Sequence, residues 1–232
     1  MKIKNLTIMM IVAFIAHIMV APMASSEQAQ TFDFDAEAVF LMEAETGRVL
    51  YEYNGDEALP PASLTKIMTL ILGLEALEEG RIQADEEALT STKAREMGEG
   101  GSRMFLEENQ RVSIMDLLTG IAVVSANDGS IVLAEHMHGS VDGFVREMNQ
   151  KAQDIGLENT HFSDPIGLDH PDQYMSARDT ARLSQYAINH TPKILELESI
   201  TEFKFNVEDP QPNRNLMLPD RDTEYSYEGT DG

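Results

Sequence analysis

Between Ser63 and Glu79 the chain places Ile67, Met68, Leu70, Ile71, Leu72, Leu74 and Leu77, which at helical spacing cover most of the circumference. A helix with no polar face cannot lie on a surface, so the rest of the chain must enclose it. The spacing therefore predicts a core helix from Ser63 to about Glu79, stopped by Gly80. With 42% hydrophobic residues in 232, there is enough apolar material to build that enclosure. One residue of the first turn conflicts with the rest. It is Lys66, in the stretch Leu59-Pro60-Pro61-Ala62-Ser63-Leu64-Thr65-Lys66.

The elements around this helix are mixed. Val39 to Met42 and Val49 to Tyr51 flank Glu45-Thr46-Gly47-Arg48 and read as a hairpin, and Asn54-Gly55-Asp56 reads as a turn. Ser91 to Ser102, polar and glycine-rich, reads as a surface loop. Ser113 and Asp116 mark a helix start, and further helices are expected after Ser125-Ala126-Asn127, after Ser140 and after Ser176, the last with Asp179 in the capping-box position. Thr201 to Val207 alternates as a strand does. A hairpin, a helix-rich middle and a returning strand predict an α+β fold.

Charge and composition exclude several functions. The formal net charge of −23 argues against nucleic acid or an anionic membrane as a partner recognised through charge. The absence of cysteine removes disulfides, thiol nucleophiles, thiolate metal sites and a lipid-modified N-terminal cysteine. His136 and His138, two apart, cannot share a helical face, His161 and His170 have no recognised ligand spacing, and no His-Glu-x-x-His occurs, so no metal or other cofactor is expected. Lys2 and Lys4 before an apolar run from Leu6 to Val20, then Ala21 to Ser26, read as a secretory signal peptide over residues 1–26, with an uncleaved anchor as the alternative. Residues 27–34 read as a linker, residues 35–232 as the functional domain, and the product as exported to the cell envelope or beyond.

Ser63 and Lys66, three residues apart on a helix, share one face and can bring hydroxyl and amine together. Apolar surroundings disfavour the ammonium, so the neutral amine becomes available as a base, which a serine nucleophile requires. The helix start adds free N–H groups suited to an oxyanion. The bland reading is that Ser63 caps the helix and Lys66 snorkels, because Ser-x-x-Lys arises about once by chance in a chain of this length. Ser125-Ala126-Asn127, about sixty residues on and following an apolar helix, shifts the balance. Ser-x-x-Lys with a Ser-Asp-Asn-type triplet and Lys-Thr-Gly is the motif set of penicillin-binding proteins and class A β-lactamases.

From about Ala38 onward the chain resembles the D-alanyl-D-alanine carboxypeptidases, the low-molecular-mass penicillin-binding proteins. The resemblance is carried by Ala62 to Thr69, Gly101 to Leu106, Ser125 to Asp128, Asn159 to Phe162, Ser176 to Asp179 and Gln211 to Asn215. It implies a penicillin-recognising serine-transferase (β-lactamase/DD-peptidase-like) fold, a sheet flanked by helices with a helical subdomain. The implied substrate is a peptidoglycan stem peptide ending in D-Ala-D-Ala, and β-lactams are the implied inhibitors. Ser63 would be the nucleophile, Lys66 its base, and Ser125 the proton relay to the leaving D-alanine, while Asn127 would hold Lys66 and the substrate backbone. Arg214 would meet the terminal carboxylate, or else be a solvent-exposed arginine of a turn-rich segment. Arg178, beside a helix start, reads as structural. The family's Lys-Thr-Gly would follow the stretch Thr230-Asp231-Gly232, so the resemblance implies a domain incomplete at its C-terminus, without the family's membrane anchor. Two alternatives remain: an inactive relative binding wall peptides or nothing, and a β-lactamase. The latter needs a glutamate-activated water, yet Ser163 to Tyr174 carries Asp164, Asp169 and Asp172 and no glutamate.

Overall fold

A computed structural model of the chain describes residues 35–218. The expected signal segment and linker, and the stretch ending Thr230-Asp231-Gly232, lie outside the described residues. The hairpin is present as β1 (Val39–Met42) antiparallel to β2 (Val49–Tyr53). A 3-10 turn, Ala62–Leu64, then leads into α1 (Thr65–Glu78), with Gly80 at φ +71 ending it. Met68, Leu70, Ile71, Leu72, Leu74 and Ala76 of α1 are all buried, as the spacing requires.

Helices enclose α1. They are α2 (Thr92–Glu99), α3 (Ile114–Val124), α4 (Asn127–His138), α5 (Val141–Ile155), α6 (Ala177–His190) and α7 (Lys193–Glu198). Serines cap four of them: the hydroxyls of Ser91, Ser113, Ser140 and Ser176 accept from Ala94, Asp116, Gly143 and Asp179 N–H. Each such cap contributes about 1 kcal/mol. The Asp179 carboxylate does not close a capping box; it accepts from the Asn159 N–H and the Thr160 hydroxyl. α1 packs on α3, α4, α6 and α7. At Gly73 a Cβ would sit 2.7 Å from the Leu118 side-chain methyl, so a larger residue there would have to displace that side chain.

Two expectations are corrected. Ser91 to Ser102 is mostly helix, not loop: the Ser91 cap, an Arg95–Glu99 ion pair one turn apart, and Ala94 and Gly98 buried against α4 offset the glycines. Thr201 to Val207 supplies only β7 (Glu202–Phe203), paired with β8 (Gln211–Pro212), because Asn206 turns to φ +51. The other ladders are β3 (Glu87–Leu89) with β4 (Arg111–Ser113), and β5 (Thr160–His161) with β6 (Tyr174–Met175). Among the described residues the strands thus pair only in twos, so the helical part is seen and a broad flanked sheet is not. The described residues from Glu37 to Leu218 cluster as one unit.

Arg178 is structural. It pairs with Glu52 and Asp56 at 2.6 Å each and stacks over the Phe40 ring, tying the hairpin to α6.

Candidate active site

The 3-10 turn carries Ser63, and the first turn of α1 carries Lys66. The Lys66 Nζ lies 3.3 Å from Ser63 Oγ and donates to the Ile166 carbonyl at 2.9 Å. Ser125 ends α3 and donates from its hydroxyl to Ser63 Oγ at 3.1 Å. Two hydroxyls and one amine thus converge from positions far apart in sequence. Ala62, at φ +45, and Ser125, at φ +58, both adopt the left-handed conformation that side chains disfavour. Such conformations cost about 1–3 kcal/mol each and persist where surrounding packing enforces them.

The enforcement at Ala62 is visible. Gly167, at φ +88, lies so close that a Cβ there would be 1.8 Å from the Ala62 carbonyl oxygen. Its segment is held by the Asp164 carboxylate, which accepts from the Ile166 and Gly167 N–H groups at 2.7 and 2.6 Å. Thr69 donates to the Pro165 carbonyl at 2.8 Å, and Gln173 donates to the Thr65 hydroxyl at 2.9 Å. The head of α1 is therefore clamped to residues 163–173 through its few polar side chains.

Lys66 is 3% exposed. Burial lowers its pKa to about 8, the Arg214 charge pushes the same way, and Asp164 opposes both. Snorkelling is excluded by this burial and by the carbonyl partner. Near neutral pH a usable fraction of the amine is uncharged.

Asn127 opens α4, and its N–H donates to the Ser102 carbonyl at 2.8 Å. Its side chain does not hold Lys66, whose hydrogen-bond partners among the described residues are Ser63 and Ile166. The amide faces Gly101 instead, where a Cβ would be 2.8 Å from its nitrogen. Arg214 is exposed and lines a neighbouring cavity with Ser102 and Val124, not the cavity of Ser63.

The cavity at Ser63 has a volume of about 360 Å³ and is lined by Lys66, Leu70, Ile121, Ser125 and, from α7, Glu198. Burial raises the pKa of this glutamate, and its carboxylate has no partner among the described residues. Sequence reasoning missed Glu198, Gly167 and Gln173, because nothing local marks them. A larger cavity between Leu74, Met115 and Pro192 is lined by none of Ser63, Lys66 and Ser125. Among the described residues no group of three or more His, Asp or Glu is placed to hold a metal ion.

The match to the family described as D-alanyl-D-alanine carboxypeptidase runs over residues 23–230. The chain belongs to this family. The D-alanyl-D-alanine carboxypeptidase DacF of Bacillus subtilis is 42% identical over 175 residues, 75% of this chain and 43% of its own length. The chain spans about half the length of the curated relatives it matches. Penicillin-binding protein 5 of Haemophilus influenzae superposes with a TM-score of 0.77 at 40% identity, covering 81% of this chain and 55% of its own. Penicillin-binding protein D2 of Listeria monocytogenes, solved in an ampicillin-bound form, superposes with a TM-score of 0.71 at 27% identity, covering 81% and 75%. The α+β penicillin-binding fold is thereby established for this carboxypeptidase relative.

Proposed function

We propose that the protein carrying this chain is a serine-type D-Ala-D-Ala carboxypeptidase that removes the terminal D-alanine of peptidoglycan stem peptides. The observation that carries this reading is the contact of Ser63 Oγ with both Lys66 Nζ, at 3.3 Å, and Ser125 Oγ, at 3.1 Å. Neutral Lys66 takes the Ser63 proton as Oγ attacks the carbonyl between the two D-alanines. The Ser63 N–H, on the second residue of its 3-10 turn, has no acceptor inside that turn and stabilises the oxyanion. Ser125 then passes a proton to the leaving D-alanine, and water releases the acyl-enzyme. β-Lactams acylate the same oxygen.

Export accompanies this function. Lys2, Lys4, the apolar run to Val20 and the small residues after it support a cleaved secretory signal, and the substrate lies outside the cytoplasm. No described helix is long and apolar enough to cross a membrane, and any membrane association is assigned to segments outside the described residues.

The test uses the full-length gene product. A fluorescent penicillin labels it covalently, peptide mapping places the adduct on Ser63, and D-alanine is released from a stem peptide. Undiminished labelling of Ser63→Ala would refute the assignment. A mature N-terminus lying near Ser26 supports export, and an intact Met1 on the exported protein overturns signal cleavage.

A further inference from the structure

Among the described residues Lys66 Nζ meets Ser63 Oγ at 3.3 Å and the Ile166 carbonyl at 2.9 Å. The second contact governs the first. A neutral primary amine carries two N–H groups and one lone pair, so an N–H committed to Ile166 restricts where the lone pair can point. The position of that carbonyl is therefore a condition for proton transfer from Ser63.

Two side chains fix the carbonyl, one acting on the other. The Asp164 carboxylate accepts from the Ile166 and Gly167 N–H groups at 2.7 and 2.6 Å, and from the Leu168 N–H at 3.1 Å. Gln173, 3% exposed, in turn places Asp164. Its side-chain oxygen accepts from the Ser163 N–H, the Ser163 hydroxyl and the Asp164 N–H at 2.5, 3.0 and 3.3 Å. Its side-chain nitrogen donates to the hydroxyl of Thr65, the residue before Lys66, at 2.9 Å. One amide thus grips the segment with its oxygen and the helix with its nitrogen. Two residues past Gln173, the Met175 N–H donates to the Leu59 carbonyl at 2.9 Å, which ties the same segment to the chain entering Ser63.

Hydrogen bonding alone does not call for an acid at 164, because asparagine offers the same accepting oxygen to Ile166 and Gly167. Charge is what aspartate adds. The charged groups felt at Lys66 are Asp164, which favours the ammonium, and Arg214, which disfavours it. Glu198 of α7 lines the same cavity. Neither Asp164 nor Gln173 lines the cavity of Ser63, so both act through Lys66.

We propose that Asp164 and Gln173 are positioning residues for acylation: Gln173 places Asp164, Asp164 places the Ile166 carbonyl, and that carbonyl aims the Lys66 amine at Ser63. The charge of Asp164 also offsets part of the burial that strips Lys66 of its proton. This rests on the reading of Lys66 as the base and deepens it.

The test compares the full-length gene product with its Asp164→Asn, Asp164→Ala, Gln173→Leu and Gln173→Glu variants. Acylation by a fluorescent penicillin is followed from low to high pH, turnover of a stem peptide gives kcat and KM, and carbon-13 NMR follows the titration of Lys66, assigned by its loss in Lys66→Arg. Asp164→Asn keeps the accepting oxygen, so its plateau rate should stay within about threefold of wild type. Its midpoint, and the Lys66 titration, should move down by at least about half a pH unit, because a charge that favours the ammonium is gone. Asp164→Ala and Gln173→Leu should each lower the plateau and kcat by about tenfold or more while KM stays within about twofold, since neither residue meets substrate. Gln173→Glu keeps the oxygen that holds Ser163 and Asp164 and should recover most of the loss. An unmoved Lys66 titration in Asp164→Asn, or a wild-type plateau in both Asp164→Ala and Gln173→Leu, would overturn the proposal. If Gln173→Leu fails to fold, Asp164→Asn and Asp164→Ala decide. Absence of labelling in the wild-type protein counts against the carboxypeptidase reading; the NMR titration then still decides the role of Asp164.

Discussion

Leu41 and Leu50 of the hairpin are 54% and 49% exposed, while Ile71 and Leu72 of α1 are both 0% exposed, although both stretches are strongly apolar in sequence. The difference lies in what packs on each. α1 is surrounded by α3, α4, α6 and α7. The hairpin rests on α6, where Arg178 holds Glu52 and Asp56 and Gln185 donates to the Ala44 carbonyl, and among the described residues no third strand pairs with it. Enclosure disfavours the charged form, whereas an exposed pair favours it. Lys66, on the enclosed element, has its pKa lowered; Arg178, on the hairpin side, keeps its charge in a solvent-accessible pair.

The comparison can be broken most severely at Gly167. Gly167→Ala places a methyl group on the Ala62 carbonyl and forces a left-handed alanine, so residues 163–173 must leave the head of α1. Penicillin labelling should fall about a thousandfold, with a stability loss of about 4 kcal/mol, in the range reserved for severe lesions. Wild-type labelling would show that the clamp on α1 is dispensable.

Next comes the enclosed side itself. Leu72→Ala should lower unfolding free energy by about 2–5 kcal/mol, the usual result of opening a cavity in a rigid core. Denaturant unfolding of the same protein measures it, and a loss below 1 kcal/mol would mean that the helical layer is loosely packed.

Lys66 tests whether enclosure has made a base. Lys66→Arg keeps the charge but cannot deprotonate, and acylation should fall by about a hundredfold. The wild-type acylation rate should rise with pH and level off above about 8, because the ammonium must lose its proton before the amine can accept one from Ser63. A pH-independent rate, or an arginine variant close to wild type, would show that only positive charge matters.

The smallest effect belongs to the hairpin. Leu50→Ser should change unfolding free energy by less than about 0.5 kcal/mol, because its side chain is already half in water. It should instead reduce self-association in light scattering, since an unpaired edge with exposed leucines invites pairing.

Several features were legible in the sequence because their causes are local. The serine caps at 113, 140 and 176, the stop at Gly80 and the burial of α1 follow from residues one to four positions apart. The Ser63–Lys66 pairing belongs with them, since three residues on a helix determine who shares a face. α2 escaped because glycines at 98 and 100 resemble a loop, while the burial that stabilises it comes from α4. The contact expected between Asn127 and Lys66 is absent among the described residues for a related reason: a motif names residues, but the direction of an amide depends on its neighbours.

What only the tertiary structure decided is every contact that closes the site. Ser125 meets Ser63 across 62 residues, and Lys66 reaches Ile166 across 100. Glu198 enters the cavity from α7, and Arg103 faces the same space as Arg214. Hydrophobic periodicity states that a helix must be buried, but not which loop will cover its head. That choice depends on packing among elements distant in sequence, and the strained backbone at Ala62 and Ser125 exists only because such packing holds it.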